Sequence, residues 1–129
     1  MRFLALDVGG RRTGVAFLDD ATGIPLPLPS FAHRNQNELL LHVKSLCTGR
    51  RIDRVIVGLP LLPSGEEGKQ AATSRAFSHM LKRQGMDVLL IDERYTTPVF
   101  RPGKHTIPLS SYDGDSAAAC ELLSGKIDY

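Results

Sequence analysis

RFLALDVGGRRTGVAFLD, residues 2–19, decides the fold. Between Phe3 and Val8 the run is apolar except at Asp7, and Gly9-Gly10 stops it, so residues 2–8 read as a short strand. Residues 13–19, TGVAFLD, follow after a tight turn and read as its antiparallel partner. Asp7 is the anomaly in this hairpin. A buried carboxylate without a partner costs several kcal/mol, so it calls for an arginine, a backbone N–H or a metal ion.

Working outward, a third strand falls within 26–33, where Pro25, Pro27 and Pro29 cannot donate ladder hydrogen bonds. It therefore belongs at a sheet edge or is irregular. Asn35 with Glu38 three positions on reads as a helix cap. Leu39, Leu40, Val43, Leu46 and Cys47 make one stripe of that helix, and Gly49 marks its end. RVIVGLP at 54–60 is a β-branched run suited to a buried parallel strand. Ser64-x-x-Glu67 has the spacing of a capping box, ahead of a helix whose face would be Ala72, Ala76, Phe77, Met80 and Leu81 and whose close is Gly85. DVLLIDE at 87–93 is another buried strand. Residues 98–112 carry Pro98, Pro102 and Pro108 without periodicity and read as a long loop. A last helix is expected over 114–124. The order β-β-β-α-β-α-β-α predicts an α/β fold: one domain over residues 1–129, with a mixed five-stranded sheet, three antiparallel strands then two parallel, flanked by helices.

Composition narrows the class. At 42% hydrophobic and 23% charged, the chain is ordinary for a soluble globular protein. No apolar run approaches the ~20 residues of a membrane span, and Asp7 interrupts the N-terminus too early for a signal peptide. A cytoplasmic protein with no membrane partner is expected. Cys47 and Cys120 are far apart and read as reduced core thiols. The four histidines lack zinc-ligand spacing. A net charge of +2 does not by itself announce a nucleic-acid partner. The clusters Arg11-Arg12, Arg50-Arg51-Arg54, Lys82-Arg83 and Arg101-Lys104 leave one open, although solvated faces and helix C-termini account for most of them equally well.

Functional sites of open α/β sheets sit beyond the carboxyl ends of the parallel strands. Asp7 ends the first strand, Asp92-Glu93 ends the last, and Asp113 and Asp115 open the final helix. Neighbouring strands are ~4.8 Å apart, so carboxylates from adjacent ends can meet. Clustered carboxylates repel, and Mg²⁺ or Mn²⁺ relieves that repulsion through oxygen ligands. Two such ions ~3.5–4 Å apart can activate a water and stabilise the leaving oxygen of a phosphodiester. Gly9-Gly10 would then let a phosphate chain come close, and Arg11 and Arg12 would bind flanking phosphates as planar forks. Structural roles stay open on spacing alone: Asp7 paired to Arg12 or Arg94, Glu93 paired to Arg94, Asp113 or Asp115 as a helix cap, Glu67 as a capping acid.

Four segments resemble one family. LDVGGRRTGVA at 6–16 carries its opening acid followed by Gly-x-basic-Arg-x-Gly. VGLPLLPSGEEG at 57–68 is similar to its second motif, DERYTT at 92–97 to its third, and DSAAACELL at 115–123 to its final acid-led alanine helix. Together they resemble the YqgF/RuvX-type family, Holliday-junction-resolvase-like nucleases assigned to maturing pre-16S rRNA. The resemblance implies an RNase H-like fold. It also implies that Asp7, Glu93 and Asp115 are the catalytic, metal-binding acids, with Mg²⁺ or Mn²⁺ as cofactor. Asp113 competes for the third place, but the alanine pattern aligns from Asp115. Arg12 and Arg94 match the family's basic positions. Gly9, Arg11, Thr96 and Thr97 are implied to lie along the nucleic acid. In the Pro-broken loop, Arg101, Lys104 and His105 stand where the family has a basic helix. The implied activity is hydrolysis of RNA phosphodiesters, as endo- or exonuclease, at the 5′ end of pre-16S rRNA. Branched DNA is the related substrate, for which a symmetric dimer is expected; the oligomeric state itself stays open. A non-catalytic ribosome-assembly factor using the same groove is the competing class. An ATP-binding reading of Asp-x-Gly would need a second such domain to enclose the nucleotide.

Overall fold

The computed structural model describes residues 1–92 and 114–124, with the side chains of 116–123 in the second segment. Strands β1 (Arg2–Val8), β2 (Arg12–Asp19) and β3 (Leu26–Ala32) precede helix α1 (Gln36–Arg50). Strand β4 (Arg54–Leu59), helix α2 (Lys69–Arg83), strand β5 (Val88–Asp92) and helix α3 (Gly114–Ser124) follow. The element order is the expected one. The sheet runs β3-β2-β1-β4-β5, antiparallel among the first three strands and parallel at β1·β4 and β4·β5.

Alternation along β1 sends its side chains to two cores. Leu4, Leu6 and Val8 join Val15, Val55 and Val57 beneath Leu39 and Val43 of α1 and Phe77 and Leu81 of α2. Phe3 and Ala5 join Ala16, Leu18, Ile56 and Ile91 beneath Ala119, Leu122 and Leu123 of α3. Each large side chain fully buried here contributes about 1.5–3 kcal/mol. Two helices thus cover one face and α3 covers the other. Asp7, next in the odd-numbered series, points to the α3 face.

The prolines put β3 at the edge, as expected, and its pairing is irregular. Thr13 opposes Phe31 but Val15 opposes Leu28, so β3 carries an extra residue around Pro29-Ser30. Ser116 of α3 plugs that bulge. Its buried hydroxyl donates to the Leu28 carbonyl at 2.5 Å and accepts the Val15 N–H at 3.4 Å. The first turn of α3 is therefore seated on the strand next to Asp7.

Three local expectations are corrected. Helix α1 is capped by Asn35, whose side chain accepts the Glu38 N–H at 2.9 Å, but it runs past Gly49. It ends at Arg51, which takes the left-handed conformation at φ 53°. Ser64 and Glu67 form no capping box. Helix α2 starts later, from Gly68, without a side-chain cap. The Glu67 carboxylate instead reaches Arg75 at 2.7 Å, while Leu61 and Glu67 pair as a bridge across the loop. The buried face of α2 is Ala71, Ser74, Phe77, Ser78 and Leu81; Ala72 and Ala76 are exposed. Ser78 hides its hydroxyl on the Ser74 carbonyl at 3.1 Å, which lets a serine serve at that core position. Glu93 and the loop 98–112 lie outside the described residues. Among those described, no helix is long and apolar enough to cross a membrane.

Candidate active site

Asp7 is half-buried at the carboxyl end of β1. Its neighbour across β2 is Gly14. One step beyond the Leu6↔Val57 register, its neighbour on β4 is Gly58. A residue directly opposite on a neighbouring strand shares the same face, so glycines flank Asp7 on both sides. The two positions flanking Asp7 in the sheet therefore carry no side chain. Asp7 itself has an interaction partner in the structure.

Helix α3 approaches this floor. Half-buried Glu121 feels the charge of Asp7: burial is the larger cause holding its carboxyl above the ordinary value, and the Asp7 carboxylate adds to it. Glu121 was not singled out from the sequence; the one signal was an acid breaking the apolar run of the alanine helix. The backbone of Asp115 lies in the first turn of α3, beside Ser116. Its side chain lies outside the described residues.

The sheet order qualifies one expectation. β4 separates β1 from β5, so the ends at Asp7 and Asp92 are two strands apart, roughly 10 Å at the usual spacing, rather than adjacent. Asp92 closes β5 opposite Leu59. Glu93, Arg94, Thr96, Thr97, Arg101, Lys104, His105 and Asp113 lie outside the described residues. Among the described residues no three His, Cys, Asp or Glu side chains gather into a metal-ligand group. The chemistry of those present nonetheless suits a hard cation. Asp7 and Glu121 are carboxylates close enough for one to feel the other's charge, and carboxylate oxygens are the ligands a hard divalent cation takes.

The turn after Asp7 has its own logic. A Cβ on Gly9 would collide with the Arg12 carbonyl oxygen, so the absence of a side chain there serves turn closure. Gly10 faces open space. Arg11 and Arg12 are exposed, and Arg12 Nε donates to Ser30 Oγ at 3.0 Å. Both cysteines are free and half-buried, with burial pushing the thiols up to about 11 for Cys47 and about 12 for Cys120.

A mixed five-stranded sheet in the order β3-β2-β1-β4-β5, with α1 and α2 on one face and α3 on the other, is the RNase H-like fold. Thermus thermophilus RuvC in complex with Holliday junction substrate shares that fold, with a TM-score of 0.66 at 11% identity over 96% of this chain and 91% of RuvC. The chain belongs to the RuvX family, described as Holliday junction resolvase, whose family model matches residues 1–129. A relative from Chromobacterium violaceum, named "Putative pre-16S rRNA nuclease", is 40% identical over 97 residues, 74% of this chain and 71% of its own. One of the same name from Sphingopyxis alaskensis is 32% identical over 131 residues, covering 98% and 86%.

Proposed function

We propose that this protein is a divalent-metal-dependent nuclease that hydrolyses RNA phosphodiesters and matures the 5′ end of pre-16S rRNA. The observation carrying this is Asp7 at the end of β1 between Gly14 and Gly58, with helix α3 and its Glu121 seated beside it by Ser116. The family and the names of its relatives supply the substrate class. Asp7, Glu93 and Asp115 would hold Mg²⁺ or Mn²⁺, with Glu121 adding negative charge nearby. When bound, such an ion lowers the pKa of the attacking water and stabilises the departing oxygen. The chain's own part is positional. The β1 ladder fixes Asp7, the glycines admit the scissile phosphate, and Arg11 and Arg12 neutralise its neighbours. Arg94, Thr96, Arg101 and Lys104 would extend that grip along the strand.

A four-way DNA junction is the second reading, favoured by the RuvC-like fold and the family description. The test incubates purified protein with labelled single-stranded RNA, precursor rRNA and a DNA junction, in Mg²⁺, Mn²⁺ or EDTA, beside an Asp7→Asn variant. Cleavage of RNA that needs the metal and Asp7 is expected, and product lengths separate endo- from exonuclease. Cleavage that survives both EDTA and the substitution refutes the metal mechanism. Binding without turnover under every metal makes the chain an assembly factor.

A further inference from the structure

Two turns meet at the same end of the sheet as Asp7. The turn between β1 and β2 holds Arg11 and Arg12, and the turn between β3 and α1 holds Arg34. They are fastened to each other. The His33 N–H donates to the Arg11 carbonyl at 2.8 Å, Arg12 opposes Ala32 in the ladder, and His33 Nε2 meets Thr13 Oγ1 at 2.8 Å below the surface. Arg12 is braced on Ser30. Arg34 is braced through Nε on the Glu38 carboxylate at 3.0 Å, with its side chain 90% exposed.

These bonds fix the backbone carrying Arg11 and Arg12 and the side chain of Arg34. Among the described residues, the Arg11 guanidinium and both Nη nitrogens of Arg34 make no hydrogen bond. The capping bond that Glu38 makes to the Arg34 N–H would form with almost any residue at that position. An exposed i,i+4 ion pair adds little stability, so folding does not account for a guanidinium there. The charge count agrees. Arg11, Arg12 and Arg34 with Glu38 carry a net +2, equal to the formal net charge of the whole chain, so the remainder balances.

We infer that Arg11, Arg12 and Arg34 form one phosphate-binding step on the β3 side of the active site, with Arg34 gripping the RNA backbone flanking the cut. This rests on the nuclease reading above. Arg34 stands beyond the end of β3, two strands from Asp7, a lateral distance of roughly 10 Å. Arg34 thus meets the backbone a short way along the strand from the scissile phosphate. The substrate strand therefore leaves the site across β2 and β3.

The experiment measures binding of a short labelled single-stranded RNA by fluorescence anisotropy across a salt series, for wild type, Arg34→Ala, Arg34→Lys and Lys82→Ala. Lys82 is an exposed cation at the far end of α2, away from the site. Arg34→Ala is expected to raise Kd about tenfold, the size of one charge-assisted hydrogen bond, and to lower the salt slope by about 0.7. Its thermal midpoint stays at the wild-type value. Arg34→Lys keeps the slope but not the full affinity, because the fork is lost. Lys82→Ala changes neither. If Arg34→Ala binds as wild type does, or if Lys82→Ala loses as much, the inference is overturned and the nuclease reading stands. A wild-type chain without salt-dependent RNA binding overturns both.

Discussion

Ser116→Ala removes one oxygen from the seat of α3, and the cost can be worked out. In the folded chain that oxygen gives the Leu28 carbonyl a donor at 2.5 Å and the Val15 N–H an acceptor at 3.4 Å. Both backbone groups lie where the pairing of β2 with β3 shifts register. Leaving a buried polar group unsatisfied costs about 1–3 kcal/mol. The Leu28 contact accounts for most of the loss, since the Val15 bond is long. Alanine returns roughly 0.5 kcal/mol as the better helix former. A net loss of about 2 kcal/mol follows, or a fall in Tm of roughly 8 °C for a domain of this size. Urea denaturation should show a lower midpoint with an unchanged m value. Hydrogen exchange should show faster exchange at the Val15 amide. A loss below about 0.5 kcal/mol, the range of ordinary surface changes, with Val15 protected as before, would refute the view that Ser116 seats the helix.

Three further outcomes are expected. Gly9→Ala should cost about 1–3 kcal/mol, because its Cβ would meet the Arg12 carbonyl, whereas Gly10→Ala should stay within about 0.5 kcal/mol; thermal melts of the pair decide it. Burial holds the His33 imidazole below its ordinary value of 6.5, so the unfolded chain binds more protons as pH falls. Its contribution to stability is complete above that value and is lost as pH drops through the folded pKa. His42 is lowered in the same sense by burial, so His33→Gln should flatten, not abolish, the acid limb of a stability–pH curve. With their thiols pushed up to about 11 and about 12, Cys47 and Cys120 should react slowly with a disulfide reagent at neutral pH and promptly once urea unfolds the chain.

What the sequence made legible was what local chemistry alone decides. The β1–β2 hairpin follows from an apolar run, a glycine pair and a second run. The edge position of β3 follows from prolines that lack an N–H. The cap at Asn35 needs only its neighbour Glu38. Illegible were the features settled by partners distant in sequence. Glu67 had the spacing of a cap acid, but Arg75 took its carboxylate. Ser78 fills a core position of α2 because the Ser74 carbonyl takes its hydroxyl, whereas the Ser74 hydroxyl is buried without a partner among the described residues. Gly49 looked like a helix stop, yet Arg51 takes the left-handed turn two residues later. At the site, Asp7 stood out as a charge in an apolar strand. Its setting between Gly14 and Gly58 required the strand order, and its coupling to Glu121 required knowing which face α3 covers.

The prolines of β3 also govern how copies of the chain treat one another. A bare strand is a template on which a second molecule can add its own, and long flat ones seed aggregates. Here Pro27 and Pro29 delete donors from that margin, and the extra residue around Pro29-Ser30 bends it out of register. Crowded newly made chains are thereby denied a place to polymerise along that flank of the sheet.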